Sequence, residues 1–149
     1  MDRIRVLIVD DHTVVRNGIR FSLMAMDDIE VVGEAADGRD ALRQCELACP
    51  DVVLMDMVMP GMGGVEATRA ILECCPSAHV VVLTSFQEGS LVQDALQAGA
   101  IGYLLKDVGM TRLAEAVRAA YVGRTTLATE AVQALAASAA GPEAKTFDL

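Results

Sequence analysis

"VVLMDMVMPGMGG", residues 52–64, sets one carboxylate, Asp56, directly after four apolar residues and follows it with Pro60 and glycines at 61, 63 and 64. A buried, unpaired carboxylate is costly, so whatever surrounds Asp56 must supply a cation, hydrogen bonds or water. The apolar run itself, "DVVLM" at 51–55, has four counterparts: "IRVLIV" at 4–9, "IEVVGEA" at 29–35, "HVVVLTS" at 79–85 and "IGYLL" at 101–105. All five are continuous, not alternating. Runs of this kind, rich in Val and Ile, suit parallel strands covered on both faces.

The segments between them have helical spacing. The first helix is expected from His12 to about Met26. In "DGRDALRQCELAC" Asp37 can cap, Ala41, Leu42, Cys45 and Cys49 share a face, and Pro50 stops the helix. In "GGVEATRAILECC" Val65, Thr68, Ile71, Leu72 and Cys75 form a stripe that Pro76 ends. In "EGSLVQDALQAGA" Leu91, Val92, Ala95 and Leu96 face inward, with Gly99 as a left-handed cap. A fifth helix runs from Met110 to Val122 and closes on Gly123. Strand and helix thus alternate five times, and right-handed crossovers turn that into an α/β fold: a doubly wound, five-stranded parallel sheet with helices on both faces. Residues 1–123 form this domain; 124–149 read as a weakly packed linker helix near 128–138 and a polar tail.

Composition narrows the function. Twelve Lys and Arg against 21 Asp and Glu give a net charge of −9, which disfavours direct contact with nucleic acid or an anionic membrane. No apolar run reaches the ~18 residues of a membrane helix, and "MDRIRVLIVDD" lacks a signal peptide's cleavage region, so a cytoplasmic location is expected. Four cysteines, Cys45, Cys49, Cys74 and Cys75, lie where two helices end. Their spacing is unlike that of ordinary zinc modules, and they read as reduced, partly buried thiols.

The polar residues that follow the apolar runs share an address. Asp10 and Asp11 end the first strand, Asp56 the third, Thr84 the fourth and Lys106 the fifth. In a doubly wound sheet the carboxyl ends of the strands form the ligand crevice at the point where strand order reverses. An order of 2-1-3-4-5 explains why only the second strand delivers nothing there. Three converging carboxylates raise one another's pKa unless a cation intervenes, and hard oxygen ligands favour Mg²⁺. With Lys106 as a fixed positive charge and Thr84 as a small hydroxyl, Asp56 is equipped to attack a phosphoryl group in line.

"VLIVDDH" at 6–12, "VVLMDMVMPGMGGVEA" at 52–67, "VVVLTS" at 80–85 and "AGAIGYLLKD" at 98–107 resemble, in the right order, the receiver domain of bacterial two-component response regulators. "DDHTVVRNGIR" and "GAIGYLLKD" are similar to the subfamily whose receiver precedes a LuxR-type helix-turn-helix domain. The resemblance implies a signalling switch, not an enzyme beyond its own phosphorylation and slow dephosphorylation. Asp56 would be the phosphoacceptor, loaded by a sensor histidine kinase or a small phosphodonor. Asp11, Asp56 and the backbone carbonyl of Val58 would hold Mg²⁺, with Asp10 acting through water. Lys106 would hold a phosphoryl oxygen, Thr84 would swing toward it, and Tyr103, which composition alone reads as a half-buried aromatic on an edge strand, would rotate inward.

Four positions depart from the common pattern. Asp107 stands where proline often follows the lysine, so no cis-proline is expected there. Gly63 replaces a common aspartate and weakens the cap of the third helix. Val58 and Phe86 stand where side chains often steer the hydrolytic water; both are apolar, which predicts a long-lived phosphoryl group. Val58 also argues against the main rival, a haloacid-dehalogenase-type phosphatase, whose mechanism needs a general acid at that place. The subfamily implies a DNA-binding domain after the linker, and no basic recognition helix occurs before Leu149. An excised receiver is the expectation, a stand-alone receiver the alternative, and phosphorylation-dependent homodimerisation the expected output.

Overall fold

Strand and helix alternate throughout the residues described by this computed structural model, 3–85 and 89–127 with Val132 and Ala136. The order is β1 (Ile4–Val9), α1 (Thr13–Met24), β2 (Ile29–Ala35), α2 (Gly38–Ala48), β3 (Val52–Asp56), α3 (Gly64–Cys74), β4 (His79–Thr84), α4 (Gly89–Gln97), β5 (Gly102–Leu105), α5 (Met110–Tyr121) and β6 (Thr126–Leu127). All neighbouring strands pair in parallel, in the order β2-β1-β3-β4-β5-β6. The first five follow the 2-1-3-4-5 order expected from the distribution of polar strand ends. The sixth is an addition to the expected five-stranded sheet. It pairs Thr126 with Gly102 and Leu127 with Tyr103, so the segment read as linker begins by lengthening the sheet. The expected helix over 128–138 falls outside the described residues apart from Val132 and Ala136.

Four of the apolar runs became mostly buried strands because helices cover both sheet faces, α1 packing with α5, α2 with α3 and α3 with α4, while β2 at the sheet edge is buried only at its two ends. All five residues of β3 are buried, its terminal aspartate included. Around it Val6, Ile8, Leu54, Met55, Val82 and Leu104 are almost wholly excluded from water, each worth roughly 1.5–3 kcal/mol relative to exposure. Helix ends follow local chemistry. Asp37 caps α2 by accepting from the Asp40 amide at 2.8 Å, while Gly63 at the start of α3 makes no side-chain cap, as its residue type implies. Gly99 follows α4 with φ +109°.

Two expectations on α2 and β5 need correction. Cys49 is not on the inward face of α2: it is the exposed C-cap, with φ 42°, because Pro50 forces the chain out of the helix there. Tyr103 is not a half-buried edge residue, since β6 covers β5 and the ring is fully buried.

A candidate phosphoryl-accepting carboxylate site

The sheet brings the polar strand ends together by register. Val9 stands opposite Met55 and Asp56 opposite Leu83, so the carboxyl ends of β1, β3 and β4 lie side by side. Asp10 is held by its own backbone: its amide donates to the Ala35 carbonyl at 3.0 Å, and its carbonyl accepts from Arg16 Nη1 at 2.7 Å. Asp56 is held by close approach of α3. A Cβ on Gly64 would stand 2.4 Å from the Asp56 carbonyl oxygen and 2.7 Å from Met57 Cα, so only glycine lets the helix start against this strand. The Gly64 amide also donates to the Met57 carbonyl at 3.1 Å.

Within the site Lys106 Nζ lies 2.8 Å from Asp10 Oδ2 and 3.2 Å from Asp56 Oδ1. The Val58 amide donates to Asp56 Oδ1 at 3.3 Å. Asp56 Oδ2 is buried with no hydrogen-bond partner among the described residues, and the buried Asp11 Oδ1 has only the His12 ring nitrogen near it, at 3.1 Å. Asp10, Asp11, His12 and Asp56 each present a ligand atom, all within 4.8 Å of one another. Thr84, buried at the end of β4, adjoins through its carbonyl, which accepts from the Lys106 amide at 2.9 Å. A cleft of about 360 Å³ opens beside Lys106, lined also by Val15, Ser85, Leu105 and Asp107.

The electrostatics show a charge deficit. Burial, then the charge of Asp10, hold the Asp56 carboxyl above the usual carboxylate range, and Lys106 and the Val58 amide only partly offset them. Burial works against the Lys106 ammonium too, but its bonds to Asp10 and its attraction to Asp56 outweigh that and hold it above the ordinary lysine value. The two shifts are compatible because one ammonium is shared between two carboxylates, Asp10 and Asp56. The orphaned Asp56 Oδ2, with ligand atoms of Asp10 and Asp11 within 4.8 Å of a ligand atom of Asp56, suits a hard divalent cation.

Asp10, Asp11, Asp56 and Lys106 are thus brought into one cluster, with Thr84 on the adjoining strand and Val58 contributing its backbone. Tyr103 lies three residues before Lys106, with its ring fully buried. Sequence reasoning missed His12, whose Nδ1 lies 3.2 Å from Asp10 and 3.1 Å from Asp11. The signal was present in "DDH", but His12 had been assigned to the start of a helix. In the structure it is the residue before α1, exposed and free to turn back on the aspartates. No cis peptide occurs among the described residues, consistent with Asp107 in place of proline. Phe86 lies outside the described residues.

Known proteins share this arrangement. Residues 6–118 match the family described as "Response regulator receiver domain". The chain is 41% identical over 148 residues to the response regulator GacA of Pseudomonas viridiflava, covering 98% of this chain and 69% of that protein. It is 44% identical over 140 residues to the response regulator UvrY of Escherichia coli K12, covering 94% and 64% respectively. The crystal structure of a LuxR-family two-component response regulator from Aurantimonas sp. SI85-9A1 superposes with a TM-score of 0.86 at 35% identity, over 92% of this chain and 98% of that one. The chain therefore spans about two thirds of the length of these two relatives. On these matches over most of its length, the chain belongs to the response regulator receiver domains of two-component signalling.

Proposed function

We propose that the domain is a phosphorylation-activated switch in which Asp56 accepts a phosphoryl group from the phosphohistidine of a sensor histidine kinase or from a small donor such as acetyl phosphate. The observation that carries this reading is the orphaned, buried Asp56 Oδ2 beside a lysine and two further aspartates. A carboxylate oxygen attacks phosphorus, the bond to the donor nitrogen or oxygen breaks, and the donor departs with that electron pair. Lys106 then moves its hydrogen bonding from the carboxylates to a phosphoryl oxygen, and Thr84 turns its hydroxyl toward the same group. Mg²⁺ held by Asp11, Asp56 and the Val58 carbonyl, with Asp10 acting through water, would neutralise phosphoryl oxygens as charge builds on them. The acyl phosphate carries close to two negative charges, and the response passes through Thr84 and the buried Tyr103 to α4, β5 and α5. The protein's catalysis is confined to its own phosphorylation and to slow loss of the group, since Val58 offers no acid or base.

The wider reading follows from the relatives. Residues 1–123 form the switch and 124–149 lead toward a DNA-binding domain of a cytoplasmic transcriptional regulator, with phosphorylation favouring a homodimer. Among the described residues no helix is long and apolar enough to cross a membrane. Incubation with acetyl phosphate and Mg²⁺ followed by intact-mass measurement tests the core of this reading. One phosphoryl group should add to the wild type, and none to Asp56→Asn or to the wild type in EDTA. Scattering or sedimentation of the phosphorylated protein should show a dimer; a strict monomer in the full-length regulator would remove that part.

A further inference from the structure

Four thiols that the acidic site does not use gather where α2 and α3 end. Cys45 lies in the last turns of α2 and Cys49 caps it, Cys74 closes α3 and Cys75 caps it, and the two helices pack against each other. Cys45 and Cys75 are buried, Cys49 and Cys74 exposed, and all four are free. Cys75 is the hub. Its Sγ donates to the Cys45 carbonyl at 3.3 Å, the same carbonyl that accepts from the Cys49 amide at 2.8 Å, so the end of α3 sits against the C-cap of α2. Burial, reinforced by Cys49 and Cys74, pushes the Cys75 thiol up to about 12. It therefore stays protonated at neutral pH and is a poor target for an oxidant, whereas Cys49 meets solvent directly. An exposed thiol beside a protected one is the arrangement a reversible redox pair requires.

We propose that Cys49 and Cys75 are a peroxide-oxidisable pair that closes to a reversible disulfide joining the C-terminal ends of α2 and α3. Hydrogen peroxide is the oxidant. The Cys49 thiolate attacks one peroxide oxygen, the S–O bond forms as O–O breaks, and the departing hydroxide takes up the thiol proton as water. The Cys75 sulfur then attacks the Cys49 sulfenic sulfur; S–S forms, S–O breaks, and the oxygen leaves with the Cys75 proton as a second water. Two thiols are oxidised and one peroxide is reduced to two waters. Cys74 is excluded as the partner of Cys75 because consecutive Cα atoms stand about 3.8 Å apart, below the roughly 4.4 Å that disulfide geometry requires. The ring so closed spans residues 49–75 and contains β3 with Asp56, so oxidation restrains the segment that carries the acceptor carboxylate.

The test treats the whole chain with hydrogen peroxide under native conditions and maps peptides without reduction. The expected result is one intramolecular link between the Cys49 peptide and the Cys74–Cys75 peptide, reversed by dithiothreitol. The link should persist in Cys74→Ser, vanish in the exposed variant Cys49→Ser, and raise Tm by roughly 5 °C or more. A link lost in Cys74→Ser, a link retained in Cys49→Ser, or oxygen addition at Cys49 with no disulfide would each overturn the proposal.

Discussion

Asp56 is almost fully buried, shares its one ammonium with Asp10, and keeps one oxygen without a partner among the described residues. Its carboxyl is held above the usual range, so the folded state binds a proton at Asp56 more tightly than the unfolded chain does. The charge therefore costs stability at neutral pH. That cost is relieved as pH falls through the raised folded value, and it is gone below the ordinary value of 3.8. In metal-free buffer Asp56→Asn should thus melt higher than the wild type at neutral pH by about 4 °C, the shift that roughly 1 kcal/mol gives in such a domain. The difference should shrink on acidification, and calorimetry across the pH range checks both the sign and the trend. Val58 is the other residue with a readable consequence. It is 52% exposed, so the fold tolerates a polar side chain there. Val58→Glu should speed loss of the phosphoryl group by about 10-fold or more, measured as the decay of the phosphorylated mass after removal of donor. These two residues were legible because each has a fixed offset from a strand end. His12 and the thiol contacts were not, since they depend on how a cap turns and how two helices meet.

At the level of elements, the five long apolar runs announced their strands and the polar strand ends announced the order of the sheet. β6 gave no such signal. Thr126 and Leu127 are too short a run to show a period, and they become a strand only because β5 offers them an edge. Their docking has a measurable value: a chain ending at Gly123 uncovers β5 and loses the contact of Leu127 with the core. It should be less stable by about 1 kcal/mol, seen as a fall in Tm of roughly 4 °C. An unchanged Tm would place the domain boundary at Gly123, as the sequence pattern alone suggests. Helix ends were legible where a side chain decides them, as at Asp37, and shifted by a residue or two where backbone fraying does, as at the end of α1.

For the whole molecule, a net charge of −9 and a crevice of converging carboxylates suit a receiver domain of two-component signalling and disfavour direct contact of these residues with nucleic acid. The sheet explains why the acidic cluster is where it is: the ends of four adjacent strands meet at one edge. The full burial of Tyr103 is what sequence could not show. Tyr103 lies enclosed beneath β6, a placement set by long-range packing and not by any local pattern. The central claim remains a chemical one about a single atom group, and it is best tested by locating the phosphoryl group. After reaction with acetyl phosphate and Mg²⁺, reduction with borohydride converts an aspartyl phosphate to homoserine, and peptide sequencing by mass spectrometry finds the altered residue. Homoserine at position 56 alone is the predicted result; homoserine at position 10 or 11, or an unmodified Asp56 in a phosphorylated chain, would contradict it.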